Sequence, residues 1–326
     1  MLSLRSLHCV AIGVVALLPL TAPSMATAQD AKPIEWVVGY AAGGGSDIVA
    51  RTVAEAMSQS LKQTIIVNNK PGAATNIAAD YVAKAKDPAH TVLTADFATL
   101  AANPALFSKL PYDGEKDFAP VGMLARFPLL LVVAPNVPVK NFKEFLAWAQ
   151  ANKDGTNYAS AGTGSPHHLA TELLRERTGL KFVHTPYRGA APAVQDLMGG
   201  QVPFGLMDSA SVQQYVTAGK LRAIGVASPK RLATMSEIPT LAEQGLTGFE
   251  AYAWQGLVVP VGAPKEAVAR LNRALVDALN STPVKARFQT LALEALPGTP
   301  AQMAEYARAE RDRWGALIRN NGIKLD

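Results

Sequence analysis

The chain has 326 residues, 49% of them hydrophobic, and a net charge of +5. No block of Lys or Arg stands out, so the basic excess does not point to nucleic acid and instead suits an anionic small molecule. The single cysteine, Cys9, sits in the N-terminal apolar run, which excludes disulfides, thiolate metal sites and a cysteine nucleophile from the rest of the chain.

Residues 1–28 read as an export signal: Arg5, an apolar run over Cys9–Leu20, then Ala26-Thr27-Ala28 spaced for cleavage. The run falls short of the roughly 20 residues a membrane span needs. Cleavage after Ala28 leaves Gln29 first and removes one Arg and no acid, so 30 basic and 26 acidic residues remain, a net +4. Cys9 lies inside the run rather than at the cleavage point, where a lipid anchor would need it. A soluble periplasmic protein without a lipid anchor is expected. The remaining 298 residues are long for one core, so two domains are expected.

Strand and helix patterns then alternate along the chain. Ile34–Tyr40 reads as a strand, "GGGSD" as a loop, and Ile48–Leu61 as a helix. Thr64–Asn68 is a short strand before a Pro-Gly turn and a second helix. Thr91–Ala95 is a strand whose loop, Asp96–Thr99, leads to a short helix near Leu100. Val121–Val133 is a longer apolar stretch broken by Pro128, and Phe142–Asn152 is a helix. Asn157–Ser160, "AGTGSPHH" and a helix through Leu174 follow. Next come Phe182–Thr185, a helix from Ala191, and strands at Phe204–Met207 and Ala223–Ala227. "TLAEQG" reads as a short helix, Ala253–Val259 as a strand, and Val268–Asn280 and Pro300–Asn320 as helices. This alternation predicts an α/β fold of mainly parallel sheets flanked by helices.

In such sheets ligands sit beyond the carboxyl ends of the strands. Three strand-to-helix loops there, "YAAGGGSD", "TADFATLA" and "SAGTGSPHH", are made of small residues that let a ligand approach backbone N–H groups. Each loop alone could be no more than a helix cap, with Asp47 as N-cap of the first helix; three in one chain point to a cleft for anionic oxygens. A phosphate loop would need a Lys after the glycines, and a dinucleotide fingerprint a third spaced glycine; both are missing. Ser165 in "TGSPH" is not a nucleophile elbow. Ser165, His168 and Asp208 nominally supply a triad, which keeps an exported serine hydrolase as the alternative. His167 and His168 are adjacent, so they do not converge on a metal as an i, i+4 pair would. His90 and His184 read as structural. No cofactor and no metal are expected.

The ordered stretches "YAAGGGSD", "VNNKPGAATNIAADYVAKA", "AGTGSPHHLA", "HTPYRGAAPAVQDLMGGQV", "AGKLRAIGVASPKR" and "IPTLAEQGLTGFEAYAWQGLVVPVGAPKEAVARLN" resemble those of Bug-type periplasmic binding proteins. These are the extracytoplasmic solute receptors of tripartite tricarboxylate transporters. The resemblance covers essentially all of the chain after the signal. It implies a two-domain, type II-like periplasmic binding protein with an interdomain cleft and a hinge crossed twice, near Leu124–Phe127 and Phe249–Ala253. Domain 1 would then be 29–125 plus 248–326, and domain 2 126–247. It also implies a small carboxylate ligand, delivery to membrane subunits, and no catalysis. A monomer without nucleic-acid partners is expected.

Carried over by position, Tyr40, Ala42, Gly45, Ser46 and Asp47 border the ligand from the first domain, with Phe97 and Ala98 on its third loop. Thr163, Gly164, Ser165 and His168 face them from the second, and Asp208 lines the cleft. Tyr187 and Arg188 either shape the second domain or touch ligand, and Trp254 packs beside the returning strand. The chain departs from the family at Ala42, usually proline, and at Ala74 and Thr75, usually glycine. If backbone donors hold the ligand, Ser165→Ala should weaken binding modestly and Gly164→Val more, because its side chain would occupy the anion's approach.

Overall fold

Apolar, β-branched runs and helical stretches alternate through residues 32–325, which the computed structural model describes. The expected export signal and the Gln29 start lie outside the described residues. The first elements are β1 (Ile34–Val38), α1 (Gly45–Leu61), β2 (Ile65–Asn69), α2 (Asn76–Ala83), β3 (Thr91–Asp96), a π turn (Ala98–Ala102) and α3 (Asn103–Leu106). A long strand β4 (Phe118–Val133) leads to α4 (Phe142–Ala151), β5 (Thr156–Ser160), α5 (Pro166–Thr178), β6 (Phe182–Pro186), α6 (Ala190–Met198), β7 (Phe204–Asp208), α7 (Ser209–Thr217) and β8 (Arg222–Val226). The chain returns through β9 (Tyr252–Pro260), α8 (Lys265–Asn280), α9 (Thr282–Thr290), β10 (Glu294–Ala295) and α10 (Pro300–Asn320). Among the described residues no helix is long and apolar enough to cross a membrane.

The strands order as β2-β1-β3-β9-β4-β7-β5-β6, with β8 and β10 also on β4. Both outer triplets are parallel, but β9 runs antiparallel to β3 and β4, and β7 and β8 antiparallel to β4. The fold is therefore α/β with a mixed sheet, parallel only at its flanks. One apolar cluster, containing Phe97, Trp254 and Trp314, covers one face of the sheet along both halves. Two others cover the opposite face: one beneath α1 and α8, one beneath α6 and α7.

Pro128 does not break the apolar stretch. β4 runs through it, because Pro128, paired with Tyr252, sits where β4 leaves the ladder with β9 and takes up the one with β7. A missing N–H costs little at such a changeover. "TLAEQG" is no helix either: Thr240 makes a parallel bridge with Val226, and the segment closes in turns at Gly245, φ +102°. α7, α9 and β10 had no counterpart in the sequence pattern.

After the Pro-Gly turn, Ala73, Ala74 and Thr75 adopt φ of 48°, 51° and 73°. The left-handed turn is held by Asn103 Nδ2 donating to the Ala74 carbonyl (2.7 Å) and by the Thr75–Thr99 hydroxyl pair (2.8 Å). An L-residue there costs roughly 1–2 kcal/mol, part of which a glycine returns as unfolded-state entropy. Ala74→Gly is therefore expected to raise stability by about 0.5–1 kcal/mol in urea unfolding; a lower midpoint would show the turn to be unstrained.

Candidate ligand-binding site

Strand register locates the site. β1, β2, β3 and β4 run in one sense, and β5, β6 and β7 in the other. At the carboxyl end of β3, Asp96 pairs with Gln255, which pairs with Ala125 on β4. At the carboxyl end of β7, Asp208 pairs with Leu129 of the same strand. Four residue steps along β4, about 13 Å of extended chain, separate the two ends. The carboxyl edges of both strand triplets, with the helix N-termini that follow them, thus face each other across Ala125–Leu129.

On the first edge, α1 begins at Gly45, three residues earlier than its apolar periodicity suggests. Its N-cap is Gly44, which has no side chain to bond the first-turn N–H groups. Asp47 is therefore not the cap. Its carboxylate accepts from Gly43 N (2.9 Å), Arg51 Nε (3.0 Å) and Asn69 Nδ2 (3.0 Å). Burial opposes its charge, but these bonds outweigh burial and hold its carboxyl below the usual value. Ala41, Ala42, Gly43 and Gly44 remain exposed. The Tyr40 hydroxyl donates to Asp96 Oδ2, while Asp96 Oδ1 accepts from Thr99 N (3.0 Å) and Oγ1 (2.8 Å). Burial raises the Asp96 carboxyl despite those bonds. Gln255 Nε2 donates to Ser46 Oγ, and Gln255 Oε1 is buried without a partner among the described residues.

The expected loop at Asp96–Thr99 does not exist, because β3 runs almost directly into the π turn. Phe97 is fully buried, edge-on to Trp254 and Trp314, and Ala98 is 5% exposed. Trp254 lies between Phe97 and Tyr306.

On the second edge, two helices close their own N-termini. Ser165 caps α5, accepting from His168 N (3.3 Å); Asp208 caps α7, accepting from Ser211 N (2.9 Å) and Ser211 Oγ (2.7 Å). Asp208 also accepts from His167 Nε2 (3.0 Å), and against the opposing effect of burial this partner holds its carboxyl low. His168 turns away from Ser165: its Nδ1 accepts the Gly164 N–H (3.0 Å) and its ring stacks on His184, centroids 4.0 Å apart. Ser165, His168 and Asp208 consequently do not form a hydrolytic relay; the carboxylate serves the neighbouring histidine. Thr163 is half-buried beside them. Tyr187 bonds Asp196 (2.6 Å), which ties it to α6. The N-cap of α6 is Gly189, φ +113°, again without a side-chain cap.

The two edges meet at both flanks. A Cβ at Gly45 would lie 3.5 Å from Phe127 and 3.9 Å from Ala210, just after Asp208. A Cβ at Gly164 would overlap Leu106 of α3, so α3 packs against the loop that leads into α5. The sequence reading missed Gln255, Asp96 and the His167–Asp208 pair. The available signal for Gln255 was an amide at an inward position of an otherwise apolar strand, "YAWQGLVV". Arg51 pairs with Asp47 and Arg126 with Glu294 (2.6 Å), while the first-turn N–H groups of α1 have no side-chain cap.

Residues 49–323 match the model of the tripartite tricarboxylate transporter family receptor. Protein BugT of Bordetella pertussis is 33% identical over 312 residues, 95% of this chain and 96% of that one. Among solved structures, R. palustris Rpa4515 with adipate superposes with a TM-score of 0.86 at 31% identity, over 90% of this chain and 99% of that one. MatC (Rpa3494) from Rhodopseudomonas palustris with bound malate gives 0.81 at 33% identity, over 88% and 98%.

Proposed function

The chain belongs to the tripartite tricarboxylate transporter receptor family, a family of solute receptors rather than enzymes, and on that premise we propose that it binds a small carboxylate between the two facing strand edges. It works in the periplasm as a monomer and delivers this ligand to the membrane subunits of a tripartite transporter. The observation that carries the reading is the uncapped N-terminus of α1, behind four exposed small residues, facing the start of α7 across Ala125–Leu129. Helix N-terminal amides and hydroxyls suit a carboxylate without an arginine. The adipate and malate bound by the two superposed proteins are of this ligand class.

Residues 29–125 plus 248–326 form one lobe and 126–247 the other in this reading, hinged near Leu124–Phe127 and Phe249–Ala253. Ligand contacts made from both edges exist only in the closed form, so binding shifts the population toward closure. Each charge-assisted hydrogen bond contributes about 1.5–3 kcal/mol at best, so four or five, less the cost of immobilising the ligand, give about micromolar affinity. Titration calorimetry with a panel of di- and tricarboxylates is expected to give one site per chain at about that affinity. Scattering should show a smaller radius of gyration at saturation. No binding by any carboxylate would overturn the reading.

A further inference from the structure

Gln255 is a buried polar group on the first edge whose own surroundings leave it incomplete. It lies on β9 between Asp96 and Ala125, on the sheet face covered by α1, and is 5% exposed. Its Nε2 donates to Ser46 in the first turn of α1, while Oε1 has no partner among the described residues. A buried carbonyl oxygen is normally bonded, and leaving one unbonded is costly. Its strand neighbour cannot supply a donor, since both Asp96 oxygens already accept, one from Tyr40 and one from Thr99. The 17-residue helix α1 meanwhile starts on Gly44 with no side-chain cap.

We infer that Gln255 Oε1 accepts a hydrogen bond from the ligand, so that the site selects a carboxylate bearing a hydroxyl or amino group on the adjacent carbon over the plain acid. This rests on the carboxylate reading above and adds to it which acid is preferred. The α1 amides and the Ser46 hydroxyl, whose hydrogen is free once its oxygen accepts from Gln255, take the carboxylate. A second carboxylate oxygen beside Oε1 would be repelled, whereas an O–H or N–H one carbon away meets it as a donor. Were the amide turned over instead, Oε1 would accept from Ser46, the NH2 would face the ligand, and the plain acid would bind as well as its hydroxylated counterpart.

The test is calorimetric titration of the full chain with matched pairs at four, five and six carbons: butane-, pentane- and hexanedioate against their 2-hydroxy and 2-amino forms. At the chain length that binds best, the substituted acid is expected to bind at least about tenfold tighter than the plain one. Gln255→Leu is expected to bring the pair to within about twofold by weakening only the substituted acid. Equal binding of the pair to the unaltered protein overturns the inference, and needs no variant to fold. A preference that survives Gln255→Leu also overturns it, by assigning the selectivity elsewhere. If none of these acids nor any tricarboxylate binds, the carboxylate reading itself falls, and this inference with it.

Discussion

Lowering the pH from 7 to 4.5 is expected to cost the folded chain roughly 3–5 kcal/mol, a loss that two stacked imidazoles dominate. His168 and His184 lie 4.0 Å apart at 7°, with the Tyr158 ring 4.9 Å beyond His184. Burial, then the Arg175 charge, lowers His168 from 6.5 to about 4; burial, then His168 itself, does the same to His184. The fold therefore needs both rings neutral, while the unfolded chain takes up their protons below pH 6.5. Stability is complete above 6.5, falls as pH drops, and levels off near 4, where the folded rings charge as well. His184 is the less buried of the two and contributes the smaller share. Asp47 and Asp208, held below 3.8, act in the same direction only at lower pH, and Asp96, raised above it, trims the loss. Urea unfolding at the two pH values measures the drop, and His184→Gln should remove less than half of it. Stability unchanged between pH 7 and 4.5 would mean the rings are solvated.

The alternation of strands and helices was readable because a buried strand and an amphipathic helix impose different periods on apolar residues. What could not be read was pairing at a distance. Pro128 looks like a break until Tyr252 is known to lie beside it, and Thr240 starts a helix-like pattern that its bridge to Val226 pulls straight. The site divides in the same way. Small residues at the carboxyl ends of β1 and β5 announced two facing edges, since bare backbone at a helix start has a local signature. Partner choice has none. His168 stands three residues from Ser165, yet its ring goes to Gly164 and His184, and Asp208 goes to the other histidine. Gln255 is one amide in an apolar strand, and its unmatched oxygen is defined only once Ser46 and Asp96 are placed around it.

Gly164→Val is expected to destabilise the protein by about 3–6 kcal/mol with no ligand present, and the mechanism differs from the one the loop's composition suggests. Gly164 has φ +79°, where a β-branched residue loses roughly 1–2 kcal/mol or more. The new Cβ would overlap Cδ1 of Leu106 and come 3.3 Å from Cδ1 of Leu325, and Leu106, 1% exposed, has packed neighbours to push aside before it can turn away. Overpacking of this kind costs about 1–3 kcal/mol. Displacing the backbone also strands His168 Nδ1, the buried acceptor of the Gly164 N–H, at a further cost of about 1–3 kcal/mol. Ser165→Ala, by contrast, removes one long N-cap bond and should cost about 0.5–2 kcal/mol. Urea unfolding of the ligand-free variants separates the two explanations. A side chain that only blocked an anion would leave the midpoint unchanged and weaken binding, whereas one driven into Leu106 lowers the midpoint. Leu106→Ala is itself destabilising, but it opens space at the overlap, so the cost of Gly164→Val should be smaller on that background. Strictly additive losses would show that the strain lies in the backbone of the loop and not in its packing against α3.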